Sequence, residues 1–333
     1  WAVYRSVRRE PFAFAARVTV PAGLVVATAG TGASRPAGDS LVTWEYRGDR
    51  PVPFLNIAIA PYRVLESAGS RIFHFPADAA GARVVARAIA RAVGRLTSWY
   101  GPPGETPRLT VIEIPEGYGS QASLAAGILQ TADAFRRRAE LPQLYHEITH
   151  VWNVPDGDRP SPRWNEGLAT FLQWRLAAAL DGWDGWPARL QRAVQAIDRT
   201  CRSGAPCDSV PFAGYGGAGL TDLSYPVGLL MFYALRAAMG SAAFDRAYRD
   251  FFQRFRETGA PSDSLVAVFR RTSPAATQVF DDWFASTRWR RRLAAEGLDA
   301  IVADYRRGPP AAAHRSRRFS SARPATARCP ACR

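Results

Sequence analysis

LPQLYHEITHVWNVPDGDRPSPRWNEGLATFLQW, residues 141–174, holds two helical runs separated by a loop rich in Pro155, Gly157, Pro160 and Pro162. His146 and His150 lie four residues apart, so on a helix begun by Pro142 they share one face and project their rings the same way. Leu144, Ile148 and Val151 supply that helix with a core face. Glu147 follows the first histidine directly and points to the neighbouring side, where a carboxylate can hold a metal's water without being a ligand. This is the HExxH arrangement, two neutral imidazoles for zinc and a glutamate as general base.

The second run starts at Ser161-Pro162, which reads as an N-cap followed by a first-turn proline. Phe171, Leu172 and Leu176 mark its buried stripe, and Glu166 sits about one turn in. A short loop makes the two helices antiparallel neighbours and returns Glu166 to the histidines. Two blander readings stand beside this one. HExxH is short enough to arise by chance, and a first-turn glutamate is favoured by the helix dipole with no ligand at all. The histidine count decides between them. Of four histidines, His74 falls in a strand run and His314 near the C-terminus, so half sit at ligand spacing and no third follows shortly downstream. A zinc site here takes a carboxylate as its third ligand, and Glu166 stands where a His₂Glu site needs it. One Zn²⁺ per chain is expected.

Outward from this stretch, the chain of 333 residues with 47% hydrophobic content can bury a full core and divides into two units. No window reaches the roughly 18 apolar residues of a membrane span. The chain opens on Trp1 with WAVYRSVRREPFAFAARVTV, basic and then alternating rather than signal-like, and reads as a piece of a longer protein. The net charge of +14 suggests a polyanion partner, yet all 43 basic residues are arginine and none is lysine, the mark of a coding bias. Eight of those arginines lie between Tyr305 and Arg333, where there is no acid, so more than half of the excess belongs to a low-complexity tail expected to be disordered. Such a tail binds polyanions weakly and without sequence preference, so no specific nucleic-acid function is expected. Cys201 and Cys207 bracket RSGAP, a turn-rich loop that a small disulfide can close, which leans towards an extracytoplasmic or secreted setting. Cys329 and Cys332 make half a zinc ribbon whose other half is missing.

Residues 1 to about 75 alternate apolar and polar residues between Pro/Gly turns and read as strands. Ala82 to Trp99 has helical spacing with arginines on the wet face, and PRLTVIEIPEGYGSQAS is a strand ending in a glycine-rich bend. Helices dominate from there, including Tyr225 to Met239, stopped by Gly240 with Ser241 capping the next.

HEITH followed by WNEGLATFLQW resembles the gluzincin metallopeptidases typified by aminopeptidase N. LSYPVGLLMFYALRAAMGSAAFDRAYRDFFQRF resembles that family's Tyr-x-x-Gly helix and the helix after it, and VFDDWFAST its later Phe-Phe-x-x-Trp segment. The resemblance runs from about residue 12 to 290. It implies an α+β fold in which residues 1–75 are the C-terminal part of a β-rich N-terminal domain. Residues 76–304 would form a thermolysin-like catalytic domain, a mixed β-sheet lobe plus a helical lobe, and 305–333 the basic tail. It also implies that His146, His150 and Glu166 bind zinc, that Glu147 activates water, and that Tyr225 stabilises the oxyanion. Nothing in the residues alone would separate Tyr225 from a core aromatic.

Two features depart from the family. Fifteen residues separate His150 from Glu166, a shorter spacer than usual. Where typical members carry Gly-x-Met-Glu-Asn, whose glutamate grips a free amino terminus, this bend reads Gly117-Tyr118-Gly119-Ser120-Gln121-Ala122. Gly119, Ser120 and Gln121 are the candidate substrate-binding residues, and Glu116 could replace the missing acid only after a shift of register. A peptide or protein substrate is expected, cleaved with weak selectivity for free amino termini. The alternative is a non-catalytic peptide-binding or structural module of the same fold, for which a base at Glu147 has no use.

Overall fold

The computed structural model describes residues 12–52, 54–104, 108–123 and 127–307, with 121–123 described by their backbone. Its strands are β1 (Ala15–Pro21), β2 (Val25–Ala27), β3 (Thr31–Pro36), β4 (Leu41–Arg47), β5 (Ala58–Ala60), β6 (Arg63–Ser67), β7 (Ser70–His74), β8 (Leu109–Ile114), β9 (Gln121–Ser123) and β10 (Gly127–Thr131). β1, β4 and β3 form an antiparallel sheet in that order, and β2 pairs with β5. Val20, Val26 and Tyr46 close a small core between them, where the Tyr46 hydroxyl donates to the Val26 carbonyl.

The second sheet runs β6-β7-β8-β10-β9, with β8 parallel to both of its neighbours and antiparallel strands at the edges. β8 is buried along nearly its whole length, as a central parallel strand covered on both faces must be. The crossover from β7 to β8 is α1 (Ala79–Tyr100), which buries Ala82, Val85, Ile89, Ala92, Leu96 and Tyr100 and leaves Arg83, Arg87 and Arg95 exposed at helical spacing. β6 and β7 therefore belong with the strands that follow α1. The boundary expected at residue 75 cuts this sheet, because the pairing of Ser70 through Phe73 with Leu109 through Ile112 is too distant for periodicity to reveal.

Helices follow: α2 (Asp133–Arg136), α3 (Leu141–Thr149), α4 (Trp164–Asp181), α5 (Trp186–Arg202), α6 (Tyr215–Ala218), α7 (Ser224–Met239), α8 (Ser241–Phe255), α9 (Ser262–Thr272), α10 (Pro274–Trp283), α11 (Arg288–Glu296) and α12 (Leu298–Arg307). A small β unit thus leads into a mixed and then helical one, the α+β class expected. α7 is apolar nearly all round and is the central helix of the core, with Val227, Leu229, Leu230, Met231, Phe232 and Leu235 buried. α4 crosses it where Gly167 meets Gly228, so tightly that a Cβ on Gly167 would stand 2.6 Å from the Gly228 Cα. That glycine contact sets Glu166, at the start of α4, beside Tyr225, at the start of α7. Arg175 then ties α4 to α8 and α1 by a two-point bond to Asp245 (2.5 and 2.7 Å), a bond to the Tyr100 hydroxyl (2.7 Å) and stacking over Trp99.

Three expected details differ. Ser161 is not the α4 cap: the helix begins at Trp164, and the Ser161 hydroxyl instead accepts from the Arg163 amide at 2.9 Å. Ser241 is the first residue of α8, with Gly240 in the cap position. Tyr305, buried, and the two arginines after it belong to α12, not to the basic tail; residues 308–333, with Cys329 and Cys332, lie outside the described residues. Cys201 and Cys207 are joined as a disulfide that closes the loop at the end of α5. Among the described residues no single helix is long and apolar enough to cross a membrane.

Candidate metal centre

α3 carries His146 and Glu147 and ends at Thr149, leaving His150 as the first residue of a 3₁₀ turn. Its backbone stays helical at φ −61° and ψ −20°, so the four-residue spacing still brings the rings together, centroids 4.9 Å apart and nearly perpendicular. Leu144, Tyr145 and Ile148 bury the opposite face, and the Tyr145 hydroxyl donates to Asp181 at the far end of α4 (2.6 Å). Held antiparallel in this way, α4 returns Glu166 to the histidines.

The Glu166 Oε2 lies 3.3 Å from His146 Nε2 and 3.6 Å from His150 Nε2, and the three ligand atoms all fall within 4.8 Å of one another. Tetrahedral zinc with nitrogen and oxygen bonds near 2.0–2.1 Å sets its donors about 3.3 Å apart, so this donor set fits zinc with little adjustment. The surrounding hydrogen bonds fit as well. His146 Nδ1 is 2.9 Å from the Gln173 Oε1, so the ring donates there and turns its Nε2 lone pair inward. His150 Nδ1 is 2.6 Å from the Asn153 amide nitrogen, while the Asn153 Oδ1 is buried without a partner. Turning that amide over lets its oxygen accept from Nδ1 and gives His150 Nε2 the same inward lone pair.

The local charges favour a cation. Burial works against the Glu166 carboxylate, but the hydrogen bond to His146 and the charges of His150, His146 and Arg163 outweigh it and hold the group well below the usual carboxylate range. Burial pushes His150 down to about 4, with His146 as a like-charged neighbour, so it is neutral at ordinary pH. His146 moves the other way: burial would lower it, yet Glu166 and Glu147 together raise it. An ionised carboxylate beside a neutral imidazole is the protonation state that a divalent ion requires of its ligands.

Glu147 is buried, 6% exposed, and its charge is felt at both His146 and Tyr225. The Tyr225 ring stacks on His146, centroids 6.0 Å apart and 18° between planes. Burial and the Glu166 charge push the Tyr225 phenol up to about 12, so it remains a proton donor at neutral pH. Arg163 donates through one nitrogen to both Glu166 Oε1 (2.8 Å) and the Tyr225 oxygen (3.2 Å).

The candidate substrate bend, residues 117–122, leads into β9. β9 is an edge strand packed near α3. Gly119 is exposed, and the Ser120 hydroxyl accepts from Gln130 (3.0 Å) and the Thr131 amide (3.4 Å), contacts that hold it to β10 and do not reach the histidines. The side chain of Gln121 lies outside the described residues. Glu116, the possible substitute acid, is exposed and bonded by Arg136 (3.0 Å), which also clamps Asp78. Gln173, Asn153 and Arg163 were missed in the sequence. Their offsets were available: Gln173 is seven beyond Glu166, two turns along the same face, Asn153 three beyond His150, and Arg163 three before Glu166.

Neither a family model nor a curated protein matches this sequence. Among solved structures the chain is similar to an M1 zinc metallopeptidase from Deinococcus radiodurans in mutant form bound to a Tyr-Ser-Ala substrate, with TM-score 0.58 and 21% identity over 87% of this chain and 65% of that one. It is similar also to an M1 zinc metallopeptidase from the same organism, with TM-score 0.59 and 22% identity over 83% and 63%. A two-domain M1 zinc metallopeptidase mutant bound to L-tryptophan gives TM-score 0.60 and 21% identity over 83% and 64%. The chain thus spans just under two thirds of the length of each. The likeness shows the fold, that of the M1 zinc metallopeptidases.

Proposed function

We propose that this chain is the catalytic part of a zinc-dependent peptidase, with one Zn²⁺ held by His146, His150 and Glu166. The observation that carries the reading is the donor set, whose separations of 3.3 and 3.6 Å match a tetrahedral zinc edge, with a buried glutamate directly beside it. Zinc, when bound, supplies a Lewis acid and lowers the pKa of water towards neutrality. Glu147 accepts the proton of the attacking water on its carboxylate and passes it to the leaving amine. Tyr225, kept protonated by its surroundings, donates to the acyl oxygen as charge develops there. Gln173 and Asn153 fix the imidazole tautomers, and the β9 edge offers backbone to an extended peptide.

A peptide substrate is supported by the solved structures of similar fold, which hold a peptide or single amino acids. In this sequence the bend at 117–122 carries no carboxylate where the family has its amino-terminus grip, and Glu116 is bonded by Arg136. A desolvated ammonium without a charge partner costs several kcal/mol, enough to erase a preference for free amino termini. The test is metal analysis of the purified protein together with a panel of peptides supplied free and N-acetylated, read by mass spectrometry. One equivalent of zinc and cleavage of both forms at similar rates are expected. Zinc uptake without cleavage of any peptide would contradict a catalytic role, and strict rejection of acetylated peptides would show that another acid does the gripping.

A further inference from the structure

We propose that Arg163 is a positioning residue of this centre: it fixes Glu166 to present one oxygen to the histidines, and it holds the Tyr225 oxygen beside that carboxylate. The inference rests on the zinc-peptidase reading above and assigns a residue that lies outside the HExxH motif and its glutamate.

Among the described residues Arg163 is the only non-glycine with positive φ, at φ 58° and ψ 36°, in the position just before α4. A side chain enters that left-handed region only at steric cost, and glycine would occupy it freely. Main-chain bonds of the loop hold that conformation. The Arg163 amide donates to the Ser161 hydroxyl, which is itself bonded to Asp156, and the Arg163 carbonyl accepts from the Glu166 amide at 3.0 Å. Residues held at such cost concentrate where a site needs them.

The conformation folds the guanidinium back over the first turn of α4, with its central carbon 5.6 Å from the Tyr225 ring centroid. Two consequences follow from the contacts. The Glu166 oxygens are divided, Oε2 facing the imidazoles and Oε1 held by Arg163 at 2.8 Å, so the carboxylate offers the metal a single oxygen. The Tyr225 oxygen accepts from the same guanidinium at 3.2 Å. One guanidinium nitrogen thus ties the Glu166 carboxylate and the Tyr225 oxygen together. The phenol is held in this way with its ring stacked on His146.

A double-mutant cycle on the full chain tests both arms. Arg163→Gly and Arg163→Gln are compared with wild type, alone and combined with Tyr225→Phe. Zinc affinity is read by competition with a chromophoric chelator, geometry by the visible absorption of the cobalt-loaded protein, and turnover on an internally quenched peptide. Loss of Arg163 is expected to weaken zinc by about tenfold or more, in the range of other groups that orient a metal ligand, and to alter the cobalt spectrum. It should lower kcat more than it changes KM, and that fall in kcat should largely vanish in the Tyr225→Phe background. Arg163→Lys should regain part of the zinc affinity. Unchanged zinc affinity, cobalt spectrum and kcat in a zinc-loaded Arg163→Gly protein would overturn the assignment alone, and full additivity with Tyr225→Phe would overturn its tyrosine arm. A wild-type protein that binds no zinc would instead overturn the zinc-peptidase reading beneath it.

Discussion

Gly228→Ala puts the packing that builds this site to the test. An alanine Cβ at position 228 would stand 2.5 Å from the Gly167 Cα and 3.3 Å from its carbonyl carbon, against the roughly 3.5–4.0 Å of a normal carbon contact. The obstacle is backbone, so no rotamer change relieves it, and the two helices must part by about 1 Å. Overpacking of this kind costs about 1–3 kcal/mol, and a backbone clash belongs near the top of that range. Alanine regains about 1 kcal/mol over glycine in helix propensity, leaving a net loss of about 2 kcal/mol. For a domain of this size that lowers Tm by roughly 4–8 °C. The same displacement moves Tyr225, one turn away, relative to Glu166, and a misplacement of about 1 Å can cost about 10²-fold in turnover. Zinc should remain bound, because its three proposed ligands sit on α3, the turn after it and α4. Thermal unfolding, zinc content and kcat/KM on one peptide read all three effects. An alanine variant with a raised Tm and wild-type turnover would refute the reasoning, since that is what an uncrowded helix glycine would give.

Gln173→Leu should weaken zinc about 10- to 100-fold while leaving the fold intact, because His146 loses the partner that fixes its tautomer; an unchanged affinity by chelator competition would remove Gln173 from the site. Glu113 is fully buried on β8, and burial, reinforced by Asp78, pushes it up to about 8 from 4.5. Between those values the unfolded chain gives up a proton that the folded chain keeps, so this group takes stability away as pH rises through that window. Glu113→Gln should remove that loss, so denaturation midpoints at pH 5 and pH 8 should lie closer together than in wild type, and an unaltered gap would contradict it. Opening the Cys201–Cys207 loop, a separation of six residues, should cost about 2 kcal/mol and lower the urea midpoint without changing the slope or the zinc content. Equal midpoints with and without reductant would show that the bond adds nothing.

The clustering of His146, His150 and Glu166 was legible because its rules are local. Four-residue spacing puts His146 and His150 on one face, and a short proline-rich loop forces the antiparallel return that delivers Glu166. Helix α1 announced itself by its arginine stripe and ran only a few residues beyond the predicted Ala82 to Trp99. What stayed hidden depends on distant partners. The parallel pairing of β7 with β8 spans the whole of α1, so residues 63–74 looked like part of the first β unit. Gly167 and Gly228 are ordinary helix residues in sequence and become a helix crossing only once α4 meets α7. The offset of Arg163 from Glu166 was readable, but its left-handed backbone conformation is recorded by no pattern of side chains. Ser120 was read as facing substrate, and its hydrogen bond to Gln130, ten residues on, ties the bend to β10, a contact no local pattern records.

The central claim meets its most direct test in the hydrolysis of an internally quenched peptide by wild-type and Glu147→Gln proteins, each first shown to hold one zinc. The amide fills the same buried place beside His146 but cannot accept a proton from water. The account predicts that the variant keeps its metal and loses nearly all turnover. A zinc-loaded Glu147→Gln protein that cleaves the peptide at the wild-type rate would contradict it.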